Sequence, residues 1–217
     1  MILLLGLCGC HSPNPHLPVF WTRTAVDPLL LADDASHPTL HLFIIYSSNL
    51  CSHTVLRISD PSLGTVFWDP AGGYGKPDYP VVARRVRDLV VNPVPSLADY
   101  IHFRNYLPTA SMEIFEFLLD PVVAREMIEA LRGEDTSSPW NTRTQAFQCS
   151  SNISSFLATH GGERFRMKSF FFPHDLAAQL YEIGPDRLYL LNQTGFYLYL
   201  PPPNKSLNQM ARTQDLP

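Results

Sequence analysis

Leu40 to Ser47 reads LHLFIIYS, an unbroken apolar run of strand length, rich in β-branched and aromatic side chains. Asn49 breaks it. Ser52 to Ile58 (SHTVLRI) then alternates, with His53, Val55 and Arg57 pointing one way and Thr54, Leu56 and Ile58 the other. After the turn Asp60-Pro61-Ser62, a third strand runs from Gly64 to Trp68, so the three segments predict a meander. Such a stretch predicts an antiparallel sheet.

What covers it follows from the helical signals. Ser96 caps a short helix predicted through Tyr106, and Glu113 to Leu118 (EIFEFL) is a further strand. Asp120-Pro121 opens a helix with proline at its first position and an apolar stripe of Val123, Met127, Ala130 and Leu131 out to Gly133. Another helix is predicted from Cys149 to His160, stopping at Gly161-Gly162, with Ile153, Phe156 and Leu157 apolar; Pro173 opens one more, through Leu176, Leu180 and Tyr181. Strands Arg187 to Leu191 and Phe196 to Leu200 close the pattern. The expected class is α+β: an antiparallel sheet with helices packed on it. With 217 residues, 45% of them hydrophobic, the chain suits one domain with tails.

The ends differ in character. Residues 1–10 (MILLLGLCGC) are apolar but too short to span a bilayer; they read as the end of a signal region, and Leu7-Cys8-Gly9-Cys10 is similar to a bacterial lipobox in which Cys10 would be lipidated. A buried N-terminal strand is the alternative. Residues 11–38 read as a Pro-rich tether, 39–200 as the domain, and 201–217, which begins with three prolines, as a disordered tail. On the lipobox reading the protein is expected at a bacterial envelope, anchored through lipid on the periplasmic side. A net charge of −4 excludes the electrostatic footprint of a nucleic-acid binder, and Arg84, Arg85 and Arg87 read as a solvated face. No metal or cofactor is expected: His11, His16, His37 and His41 lack ligand spacing, Cys8 and Cys10 lack a second ligand pair, and Gly72 to Gly75 is not a phosphate loop but a loop that would overhang a site.

If Cys8 is removed and Cys10 lipidated, Cys51 and Cys149 remain, and in an oxidising compartment they would form a disulfide on the bland reading. The alternative is chemical. A thiol attacks as thiolate, and a free one titrates near pH 8.5, roughly. A helix N-terminus and a neighbouring imidazolium both lower that value. Counting back four from Ile153 puts Cys149 on the buried edge of its helix, at the N-terminal end. His53 sits on a rigid strand, and Asp69, just after the adjacent strand, is the acid placed to orient the imidazole. A lone buried cysteine is more often a small apolar filler; the three residues in that order carry the catalytic reading.

The order strand-His, strand-acid, helix-Cys resembles the circularly permuted papain-like cysteine hydrolases, the NlpC-like and lecithin:retinol-acyltransferase-like group. Ser52-His53-Thr54-Val55 is similar to the group's histidine strand, and Val66-Phe67-Trp68-Asp69 to the strand bearing the third polar residue. Trp140-Asn141 through Gln148-Cys149-Ser150-Ser151-Asn152-Ile153 resembles the approach to its cysteine helix, and Pro173-His174-Asp175-Leu176 the helix that often follows. Gln148 stands where asparagine is frequent, and Asp69 where histidine, glutamate or asparagine is commoner. The resemblance implies a permuted papain-like fold and hydrolysis or transfer at an amide or ester carbonyl through a thioacyl intermediate. His53 would then be base and acid, with the oxyanion held by backbone N–H groups at the Cys149 helix start and by Gln148. A peptidoglycan peptide is the first substrate expectation and an acyl group the second. The rival readings are a non-catalytic envelope lipoprotein with a Cys51–Cys149 disulfide, and an inactive papain-like domain that only binds.

Overall fold

The computed structural model describes residues 21–28, 31, 33–46, 53–70, 94–105, 111–132 and 149–202. Among these described residues seven strands form one sheet: β1 (Thr22–Ala25), β2 (Thr39–Tyr46), β3 (His53–Asp60), β4 (Gly64–Trp68), β5 (Ser111–Leu118), β6 (Arg187–Asn192) and β7 (Gly195–Leu200). Their order is β1-β7-β6-β5-β2-β3-β4, and every pairing is antiparallel. The α-helices among the described residues are α1 (Leu97–Asn105), α2 (Pro121–Arg132), α3 (Cys149–His160) and α4 (Pro173–Ile183). The expected meander is β2-β3-β4. The mixed α and β class with an antiparallel sheet is as the sequence predicts. Among the described residues no helix is long and apolar enough to cross a membrane.

The unbroken apolar run of β2 has a simple cause: the strand is interior, and both of its faces are covered. Leu40, Leu42 and Ile44 enter one core with Leu56, Ile58, Trp68, Phe115 and residues of α2, α3 and α4. Phe43 and Ile45 enter a second core with Val55, Phe67 and α1, through Leu97, Tyr100 and Ile101. Alternation in β3 follows the same division, so Thr54 faces the three-helix layer and His53 shares the parity of Val55 on the other face.

The helix ends are built as the sequence predicts. The Ser96 hydroxyl accepts the Asp99 N–H at 3.0 Å, and the Asp120 carboxylate accepts the Val122 N–H at 2.8 Å. On α2 the fully buried stripe is Ala124, Met127, Ile128 and Leu131, with Val123 and Ala130 packed at its margins. α3 stops where glycine is required: a Cβ on Gly161 would lie 2.6 Å from the Leu157 carbonyl oxygen, and Gly162 has a φ of 68°.

The structure corrects the stretch read as a tether over 11–38. Thr22–Ala25 forms the edge strand β1 on β7, Trp21 belongs to the core, and Asp33 pairs with Arg57 of β3. All four β1 side chains are exposed, so the strand, held by backbone pairing and by Arg23 stacked over the Tyr197 ring of β7 at 3.7 Å, leaves no hydrophobic alternation to read. The lipobox, the Gly72–Gly75 loop, Arg84 to Arg87 and the chain beyond residue 202 lie outside the described residues.

The second face also buries charge that the sequence pattern does not announce. Glu116 of β5 accepts from Arg187 at 2.7 Å and from Tyr189 at 2.9 Å, and lies 3.3 Å from His41 Nε2. Burial pushes the Glu116 carboxyl up, but the His41 hydrogen bond, the charges of His41 and Arg187 and the Tyr189 hydroxyl outweigh it and hold the group below the usual carboxylate range. His41 is thus a buried partner in a sheet, and His37 a surface residue bonded to Ser36 at 2.8 Å.

Candidate active site

Three elements converge at one end of the sheet. His53 is the first residue of β3, and Trp68, the last of β4, pairs with Leu56. Asp69 follows Trp68 and shares the parity of Phe67, so it falls on the same face as His53. The contact is made: His53 Nε2 lies 2.5 Å from Asp69 Oδ1. Asp69 is 2% exposed at its side chain and His53 17%, so the imidazole is fixed by a carboxylate largely withdrawn from water while its own edge remains open.

α3 approaches the same point from the three-helix face. Its apolar positions Ile153, Phe156 and Leu157 are buried in the first core, with the Phe156 ring edge-on to Trp68 at 5.6 Å. That packing presses the start of the helix against β3, where Thr54 Oγ1 lies 2.7 Å from Ser150 Oγ. Cys149, one residue earlier, is 4% exposed and carries a free thiol, so it takes part in no disulfide. Cys51, proposed on the bland reading as its partner, lies outside the described residues, as does Gln148.

Electrostatics at the sulfur favour the anion. Burial pushes the Cys149 thiol up. The hydrogen bond and charge of His53 pull it down, helped by hydrogen bonds from the Thr54 backbone and the Ser150 hydroxyl, and the net effect is a thiol below its ordinary value. Asp69 holds the same imidazole through Nε2, so one ring joins the carboxylate to the thiol. The α3 N-terminus adds the positive end of a helix dipole, and its first backbone N–H groups have no partner within the helix.

Cys149, His53 and Asp69 are therefore brought together as the sequence order proposed. What sequence reasoning missed are the two hydroxyls beside them, Thr54 and Ser150, each adjacent to a site residue and each fully buried. A signal existed: strand parity puts Thr54 on the helix-covered face, where a hydroxyl needs a partner. Among the described residues no group of three or more His, Cys, Asp or Glu side chains could hold a metal ion. No family model, curated protein or solved structure matches the chain.

Proposed function

We propose that the protein is a thiol hydrolase or acyltransferase of permuted papain-like type, acting on an amide or ester carbonyl. The observation that carries the reading is the geometry at His53: its Nε2 lies on Asp69 at 2.5 Å, and the imidazole hydrogen-bonds a Cys149 thiol that is in no disulfide and whose ionisation it favours. In the first step His53 takes the thiol proton and the sulfur attacks the carbonyl carbon, while the N–H groups at the α3 start hold the oxyanion and Gln148 adds a donor. The tetrahedral species collapses as His53 passes its proton to the leaving amine or alcohol, leaving a thioester on Cys149. Water, or an acceptor amine or alcohol in a transferase, then attacks the thioester with His53 as base, and the thiol is regenerated.

The substrate class favoured is a peptidoglycan peptide, with acyl esters second, for a chain whose N-terminal residues read as a lipobox and whose Cys10 would anchor it to the envelope membrane. The test is direct. Purified protein is incubated with peptidoglycan fragments and with short acyl esters, and products are read by mass spectrometry beside the C149A variant. Cleavage or transfer that C149A abolishes supports the reading, as does trapping of a thioester on Cys149. Turnover retained by C149A would refute it, and so would an unmodified Cys149 under saturating electrophilic acyl probe. Metabolic labelling with a fatty-acid analogue, lost on Cys10→Ala, tests the anchor separately.

A further inference from the structure

The hydroxyl pair behind the thiol is more than a point of attachment between helix and strand. Thr54 and Ser150 are separated by nearly a hundred positions in the chain, both are completely buried, and their oxygens lie 2.7 Å apart. They flank the reacting residues: Thr54 follows His53 on β3, and Ser150 follows Cys149 on α3. The first turn of α3 is held from its other side as well. The Ser154 hydroxyl donates to the Ser150 carbonyl at 2.7 Å and accepts the Phe170 N–H at 2.8 Å, which ties the backbone of this turn to the segment after α3.

We infer that Thr54 and Ser150 form a two-hydroxyl relay that positions the Cys149 sulfur and stabilises its thiolate. Each hydroxyl has a single proton. When the thiol proton passes to His53, the Ser150 O–H turns to donate to the sulfur, and the Thr54 O–H donates to the Ser150 oxygen that has thereby lost its share of hydrogen bonding. Nothing is transferred along the pair; both protons only change the acceptor they face, and the thiolate gains a donor polarised by a second one. The Ser150 side chain is among the groups that lower the thiol, and the Thr54 hydroxyl reaches it through the 2.7 Å contact between the two oxygens. Both are positioning residues, because they act on the sulfur and not on a substrate. The inference rests on the proposed role of Cys149 as nucleophile.

The test measures Cys149 alkylation by iodoacetamide across pH, followed on the Cys149 peptide by mass spectrometry, in the full chain. The midpoint of the profile reports thiolate formation, whereas a change of access alters only the plateau rate. Ser150→Ala and Thr54→Val, which nearly preserve volume, should each move the midpoint upward. For Ser150→Ala the thiolate fraction at a fixed pH below the midpoint should fall about tenfold, the order expected for one lost hydrogen bond to an anion. Thr54→Ser should restore the profile. Unchanged midpoints in both variants, whatever happens to their melting temperatures, would overturn the relay and reduce the pair to a helix dock. Should Ser150→Ala fail to fold, Thr54→Val with its Thr54→Ser rescue decides alone. His53→Ala separates the two levels: a midpoint it raises leaves the nucleophile reading standing whatever the hydroxyl variants do, and a midpoint it leaves in place overturns both.

Discussion

Replacing Asp69 by asparagine isolates the charge that holds His53. Asparagine keeps the size of the side chain and an oxygen that still accepts from Nε2–H, so the neutral ring stays where it is. The loss is the anion 2.5 Å from a ring that must become cationic when it takes the thiol proton. Asp69 is 2% exposed, so water cannot replace the carboxylate at that distance. A hydrogen bond to a charged partner contributes about 1.5–3 kcal/mol, which corresponds to about a 10- to 150-fold smaller population of the thiolate–imidazolium pair. The assay is the pH profile of Cys149 alkylation, with far-UV circular dichroism and thermal unfolding as controls for fold. The expected result is an alkylation midpoint displaced toward that of an ordinary thiol, with little change in melting temperature. A variant that unfolds at the wild-type temperature and alkylates with the wild-type midpoint would refute the coupling of Asp69 to Cys149 through His53.

Other expectations concern the frame that carries the site. Phe156→Ala removes a fully buried ring packed on Trp68 and should destabilise the protein by about 3–5 kcal/mol in denaturant unfolding, with loss of the Cys149 profile as α3 loosens. Gly161→Ala places a methyl group 2.6 Å from the Leu157 carbonyl oxygen and 2.7 Å from Phe165 Cβ, so a lower melting temperature, by about 1–3 kcal/mol of stability, is expected. Glu116→Gln should cost about 2 kcal/mol at neutral pH. Because the folded Glu116 carboxyl lies below its unfolded value, its stabilisation is complete above roughly pH 4.3 and is lost as the pH falls through the folded value. The wild type should therefore lose stability on acidification more steeply than Glu116→Gln, and equal slopes in urea titrations would count against the assignment.

Cys149, His53 and Asp69 could be singled out because each carries a local signal. Proline, aspartate and glycine punctuate α2, α3 and α4; α3 begins at Cys149 and ends at His160 as the pattern predicts, and β4 spans Gly64 to Trp68 as read. The strand parity of β3 separated His53 from Thr54 before any contact was known. The edge strand β1 was not readable, because its four side chains are exposed and carry no apolar alternation. Nor was the buried group around Glu116: in sequence the glutamates of EIFEFL are two polar residues in a strand, and the partners of Glu116 come from β2 and β6, far away along the chain.

By itself, then, the sequence determined the elements, their caps and which side of each strand carries which residue, since these depend on neighbours a few positions apart. It proposed Cys149, His53 and Asp69 in order but could not bring them within reach of one another. Tertiary structure decided that, by pairing β3 with β4 so that Asp69 meets His53, and by burying Ile153, Phe156 and Leu157 so that the start of α3 closes on Thr54. The physical reason is that the thiol's ionisation depends on charges and donors within a few ångströms, and all but Ser150 arrive from elements distant in the chain.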